Sequence, residues 1–313
     1  MMLNHYLRIA FALAALTGCG ADSVTSLSAG ILNAKPAKGG SKSLIYVGQN
    51  DIAAYPANPR RHSVLCVLSN YSANALAADS DGDVIVALGT SITVFKGPEK
   101  CGPEAGSFTD GFGTPVDVAS SRALTGEVVV GNELDNSGRP GSISVCTLSH
   151  GCLRNLTNSN MYFVYGVALA NDGNCWASGV NSANNATLTY FRDCKGSGKT
   201  ATGYNQPGSG ALDIDGEGHL VSISSSGPSS SSLYIYEGCD PACKLYAGPL
   251  SLEGESVSGH LNEAATMFAA TDIQNNTLDI YRYTPTSLQL EYAFGSGSGG
   301  FFRQIVYSPR SRE

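Results

Sequence analysis

Two stretches of the chain carry residue types that can bind small ligands. Asp193-Cys194-Lys195-Gly196-Ser197-Gly198-Lys199-Thr200 ends like a phosphate loop, G-x-x-x-x-G-K-[ST], in which backbone N–H groups cradle phosphate where a helix begins. Asp193 stands where that loop needs Gly, and Ala201-Thr202-Gly203-Tyr204 follows where a helix should start, so nucleotide binding is not expected. Asp79-Ser80-Asp81-Gly82-Asp83 offers carboxylates to calcium but lacks the alternating ligands and closing Glu of an EF-hand, so a hairpin turn is expected. Neither G-x-S-x-G nor H-E-x-x-H occurs, which removes the signatures of two large hydrolase classes. The sequence therefore assigns no catalytic residue, cofactor or metal. A formal net charge of −7 with 14% charged residues also argues against nucleic acid, which needs a basic face, and against coiled coils.

The elements that would carry a site repeat along the chain. An apolar-x-apolar-aromatic pattern begins at Ile52, Ile92, Ile143, Leu188, Leu233 and Leu278, with spacings of 40, 51, 45, 45 and 45; the third copy ends in Cys146 in place of an aromatic residue. A small-apolar-x-apolar segment, a Gly-bearing turn and another apolar run precede several copies: Ala75 to Val86, Gly166 to Ala177 and Ala211 to Ser222. The turns Asp81-Gly82, Asp172-Gly173 and Glu217-Gly218 supply the positive φ of a tight hairpin. Each unit then reads as strands a and b around that turn, a polar loop, strand c and a strand d. Four short strands repeated about every 45 residues are the pattern of a β-propeller blade. Small residues at the start of strand a (Ala75, Gly166, Ala211) suit a hub where blades converge.

The ends complete the count. Phe302 to Tyr307 reads as a strand a with nothing after it, and Leu44 to Val47 as a strand b with nothing before it. Joining them gives an all-β, six-bladed propeller over residues 43–313, closed by pairing of its N- and C-terminal strands and so left without open edges. The blade core, best seen at Gly166 to Ala177 and Ala75 to Val86, resembles the NHL-repeat and gluconolactonase-like six-bladed propellers. That resemblance implies a central cup in which a divalent metal is held by a Glu of the first blade and by Asn or Asp just before the small residue of strand a. The matching positions here are Asn74, Tyr165 and Ser209 or Gly210; only Asn74 can ligate, and no Glu lies between Leu44 and Tyr55. The resemblance thus brings the fold without its metal site.

Asn74, Thr114, Tyr165, Ser209, His260 and Arg303 are expected at the cup entrance, with Asn- and Ser-rich b–c loops bounding the same face. Such side chains suit hydrogen bonding to a neutral polar ligand, a glycan or a peptide backbone, although solvated loops would look the same. Asp117 and Asp213, in the middle of otherwise apolar strands a, are expected to bond one blade to the next. His150 and His219 sit in turns and are expected to be exposed.

The address is legible at the N-terminus. Met1 to Gly18 has a short head with Arg8, an apolar run from Ile9 to Leu16 and small residues, the form of an export signal too short to span a bilayer. Leu16-Thr17-Gly18-Cys19 resembles the bacterial lipobox, which implies acylation at Cys19 and anchoring to a membrane, with Gly20 leaning toward the outer one. Residues 19–42 read as the acylated Cys and a flexible tether. Eight further Cys form an even set in an oxidising compartment. Cys146 with Cys152 and Cys239 with Cys243 flank c–d turns, Cys175 and Cys194 face each other across a hairpin, and Cys66 and Cys101 are left as the fourth pair. The expected function is a lipid-anchored cell-envelope module that binds a protein or glycan; the alternative is a propeller hydrolase or lyase, lactonase-like, with its site in the cup.

Overall fold

The structure, a computed structural model, describes residues 44–48, 50–57, 63–97, 101–121, 124, 126–135, 140–225, 230–295 and 304–308. In chain order the strands are β1 (Leu44–Gly48), β2 (Ile52–Pro56) and β3 (Cys66–Leu68); β4 (Ala75–Ala78), β5 (Val84–Leu88), β6 (Ser91–Phe95) and β7 (Glu104–Thr109). There follow β8 (Gly113–Ser120), β9 (Glu127–Asp135), β10 (Ser142–Thr147) and β11 (Gly151–Thr157), then β12 (Phe163–Leu169), β13 (Cys175–Val180), β14 (Ala186–Phe191) and β15 (Lys199–Thr200). The last are β16 (Leu212–Ile214), β17 (Leu220–Ser225), β18 (Ser231–Glu237) and β19 (Lys244–Leu252), β20 (Ser256–Leu261), β21 (Met267–Asp272), β22 (Thr277–Thr284) and β23 (Ser287–Gly295), and β24 (Gln304–Ser308). They form six antiparallel sheets of four strands, blades I to VI.

Blade I has the order β24-β1-β2-β3, so the last strand of the chain is its innermost. Leu44 pairs with Ser308 and Gly48 with Gln304, which is the closure expected from the two unpaired ends. Each innermost strand lies beside the next, from β24 through β4, β8, β12, β16 and β20 back to β24. Because the strands alternate in direction, the b–c loops share one face of the ring with the d–a linkers, and the a–b and c–d turns share the other.

There is no single core. Buried apolar side chains form six clusters, one in each seam between blades. Alternate residues of a strand enter opposite seams: Val84 and Val86 of β5 pack with Leu44, Tyr46 and Val306 of blade I, while Ile85 and Ala87 pack with Val118, Val128 and Val130 of blade III. This explains why the strands are apolar without alternation, since both sheet faces are covered. Each large side chain so buried contributes about 1.5–3 kcal/mol.

At the hub the blades touch backbone to backbone. A Cβ on Gly166 would stand 2.3 Å from the Gly210 carbonyl of the next blade, so only Gly fits there. Asp117 and Asp213 tie blades as expected: Asp117 Oδ2 accepts the Val167 N–H at 2.8 Å, and Asp213 Oδ2 that of Leu261 at 2.7 Å. All four disulfides pair as the spacing suggests. Cys66–Cys101 links blade I to the c–d connection of blade II, a cross-blade staple; the other three lie within their own blades. Four disulfides place the protein in an extracellular or periplasmic compartment.

Candidate functional site: the ring axis and its entrance rim

The axis is narrow. Toward the a–b ends of the inner strands, a cavity of about 60 Å³ is lined by at least one residue from each, among them Ala77, Ala119, Ala168, Asp213, His260 and Val306. At about 10–15 Å³ for one water, that space takes a few waters, whereas sites for small organic ligands run to about 300 Å³ and more. Its polar wall is Asp213 with His260, whose Nδ1 is 3.4 Å from Asp213 Oδ2. Asp117, buried between blades III and IV, lies within reach of the charges of His260 and Asp213. Burial pushes the Asp117 carboxyl up to about 6, opposed by the charge of His260 and by the N–H groups of Val167 and Val118.

His260 is therefore not at the entrance where it was expected. β20 begins at Ser256 and bulges before Gly259, which puts His260 near the inner end of its strand, 8% exposed. Val257, 39% exposed, takes the entrance position of blade VI. Arg303 lies outside the described residues, as do Cys19, the signal and the tether.

The other expected residues lie at the rim, where β-bulges place Thr114 and Tyr165, while Asn74 and Ser209 precede unbulged strands. In β12, Val164 pairs with Gly179 and Gly166 with Ser178, so Tyr165 is the extra residue, turned out of the sheet and 41% exposed. β8 shifts register twice, around Thr114 and around Val116, and β20 does so around Val257. Asn74 donates its amide to the Pro115 carbonyl of blade III at 3.2 Å, and Ser209 its hydroxyl to the Gly179 carbonyl of blade IV. Burial and the Glu133 carboxylate hold the Tyr165 phenol above its usual range.

These contacts also settle how the three aligned positions fit a divalent metal. The Asn74 side chain donates only through Nδ2 and so keeps Oδ1 for a cation, but Ser209 and Tyr165 add just a neutral hydroxyl and a neutral phenol, with no carboxylate among the three. That donor set does not fit the metal of gluconolactonase-like propellers.

Buried side chains beneath the rim escaped sequence reasoning. Gln206 of the linker into blade V donates to Tyr204, Ser222 and the Gly208 carbonyl, which fixes the approach to Ser209. Asp110, entering blade III, accepts from Phe112 N and from Ser144 Oγ, and Asn132 in turn donates to Ser144. The sequence signal is slight: a polar residue ahead of strand a, three positions before β8 for Asp110 and six before β16 for Gln206, with no fixed type.

Elsewhere the loops are structural. Asp79 Oδ1 accepts the N–H groups of Asp81 and Asp83, both at 2.9 Å, so the acidic stretch is a turn closed on itself. The phosphate-loop lookalike becomes a 3-10 turn, Arg192–Cys194, followed by β15. His150 is exposed as expected, but His219 is not: its ring stacks on Tyr246 at 4.5 Å and its Nδ1 lies 2.9 Å from Asp215 Oδ2, which also accepts the Tyr283 hydroxyl of blade VI. A turn position suggested exposure, but the imidazole closes a seam.

No family model matches the chain, and no curated protein matches it. Among solved structures the chain is similar to one from the nidogen/laminin complex, with a TM-score of 0.63 at 12% identity over 87% of this chain and 100% of that one. It is also similar to a hypothetical selenium-binding protein from Sulfolobus tokodaii (TM-score 0.55, 12% identity, 83% of this chain and 76% of that one). A 6-phosphogluconolactonase-like protein from Bacteroides fragilis gives a TM-score of 0.54 at 12% identity over 87% and 99%. At such identities the likeness is one of fold, and it agrees with the ring of blades.

Proposed function

We propose that the protein is an exported, lipid-anchored module of the bacterial cell envelope that binds a protein or glycan on the rim formed by Asn74, Thr114, Tyr165, Ser209 and Val257. One observation carries the reading: the bulged inner strands of blades III, IV and VI push side chains outward at the rim, while the cavity on the axis holds no more than a few waters. Binding energy is then available at the surface and little of it inside. Four disulfides support export, and the lipobox-like Leu16-Thr17-Gly18-Cys19 supports acylation at Cys19, toward the outer membrane.

Two measurements test the two halves. Radiolabelled palmitate should enter the wild-type protein in cells and not Cys19→Ser; label retained in the variant rejects the anchor. Envelope extracts passed over immobilised protein should yield a partner that a Tyr165→Ala/Asn74→Ala double variant no longer retains. Equal capture by both rejects the rim.

A second reading, a lactonase-like hydrolase, is favoured by the Asp117, Asp213 and His260 groups around the axis. It requires turnover of a lactone or ester panel, abolished in His260→Gln with the fold intact. Absence of turnover rejects it.

A further inference from the structure

The rim is not evenly furnished, and its richest sector lies where blade III meets blade IV. Tyr162 and Tyr165 are each 41% exposed, and the Tyr162 ring stands edge-on to Phe163 at 4.7 Å, which fixes its orientation. Glu133, exposed on β9, is close enough to Tyr165 for its charge to act on the phenol. Gly141 donates its N–H to the Tyr162 carbonyl at 3.0 Å, and a Cβ on Gly141 would lie 3.0 Å from both the Glu133 carbonyl and the Val164 side chain. These backbone contacts bring the chain at Glu133, Tyr162 and Val164 into one sector of the rim, with Tyr165 bulged out beside Val164.

Charge on the whole face points the same way. Its b–c loops and d–a linkers carry Asp51, Glu133, Glu253 and Glu255 among the described residues, while every described Lys and Arg, from Lys96 to Arg282, sits on an outer strand or within three residues of a c–d turn.

Resting on the reading of the rim as a binding surface, we infer that this sector takes a basic side chain, Lys or Arg, presented by a protein partner, between the tyrosine rings and the Glu133 carboxylate. An aromatic face attracts a cation through its quadrupole, and Arg also stacks flat upon it. The carboxylate supplies the charge-assisted hydrogen bond. A neutral sugar would use the rings and leave the acidic surplus without a role.

Fluorescence anisotropy at physiological salt tests this with labelled hexa-arginine, hexa-lysine, a neutral Gly-Ser hexapeptide and maltohexaose. The wild-type protein should bind the basic peptides and neither neutral probe. Tyr165→Leu, which keeps net charge, and Glu133→Gln should each weaken hexa-arginine binding about tenfold, and Glu104→Gln on an outer strand less than twofold. Thermal melts confirm that the variants are folded. No hexa-arginine binding, no effect of Tyr165→Leu, or equal losses in Glu133→Gln and Glu104→Gln would each overturn the inference. Maltohexaose bound in preference to hexa-arginine and lost in Tyr165→Leu would overturn it while leaving the rim a binding surface.

Discussion

The two faces of the ring are built differently. On the a–b and c–d face, Asp79, Asp215 and Asn262 each accept two backbone N–H groups of their own loop, as Asn181 and Asp272 do on the other, so the faces differ in their disulfides and bulges and not in how their turns close. Three disulfides end in c–d turns or just beyond, and a fourth runs from β3 to the c–d connection of blade II. On the opposite face the inner strands bulge, side chains stand clear of the sheet, and hydrogen bonds run from the rim to neighbouring blades. Both faces carry contacts between blades, but only the first is stapled by disulfides and only the second exposes bulged side chains. Stability should therefore be lost on the first face and binding on the second.

The largest expected loss of stability follows from opening the cross-blade staple. Cys66 and Cys101 are 35 residues apart, and releasing that loop costs about 4 kcal/mol on the chain-entropy account. Cys239 and Cys243, 4 apart, should cost about 2 kcal/mol. Guanidinium unfolding of the paired Cys→Ser variants reads the difference, and a larger loss from the short loop would contradict the part given to blade linkage.

The axis between the faces should show itself through pH. The Asp117 carboxyl ionises near 3.8 when unfolded and at about 6 in the ring, so the native state holds the extra proton between those values. Unfolding free energy should then fall as pH rises from about 4 to about 6 and level off above, a change of about 3 kcal/mol from this group. Asp279, also pushed up to about 6 by burial, adds to the same slope. Asp117→Asn keeps an oxygen for the Val167 N–H and loses the titration, so urea unfolding across this window should show roughly half the wild-type slope. An unchanged slope would mean that Asp117 is solvated.

Matched turns on the two faces give a finer contrast. Asp215→Ala strips Tyr283 and His219 of a buried partner and should cost about 2–3 kcal/mol. Asn181 on the b–c side accepts only the N–H groups of Ala183 and Asn185, and Asn181→Ala should cost about 1 kcal/mol. Equal thermal shifts would erase the distinction between the faces.

Most of the fold was legible because blades repeat a packing problem. The aromatic at the end of strand c, the Gly turn between a and b, and the small residue at the hub each answer a steric demand that recurs six times, so they recur in the sequence. The disulfides followed from placing Cys on those strands. The site was less legible because bulges are departures from the repeat. Nothing in Ser256-Val257-Ser258-Gly259-His260 announces where the register slips, and a slip moved His260 from the entrance to the axis. Gln206 and Asp110 were missed for a related reason: a linker side chain can reach the next blade from several positions, so no spacing fixes it. His219 shows the converse, since Tyr246 stacking on its ring and Asp215 bonding its Nδ1 bury a residue that its own turn would expose.

The smallest expected change in stability is the one that separates the faces most sharply. Tyr165 has no cross-strand partner and leaves much of its ring in solvent, so Tyr165→Leu should alter unfolding free energy by less than about 0.5 kcal/mol. Leu keeps the apolar bulk next to Val164 and removes the aromatic face and the hydroxyl. If the rim exists for contact with a partner, this variant melts like wild type and binds poorly, whereas Asp215→Ala melts early and, while folded, binds normally. A Tyr165→Leu protein that melts several degrees lower would make the ring a packing residue of the III/IV seam. The bulge would then serve the ring's closure in place of recognition.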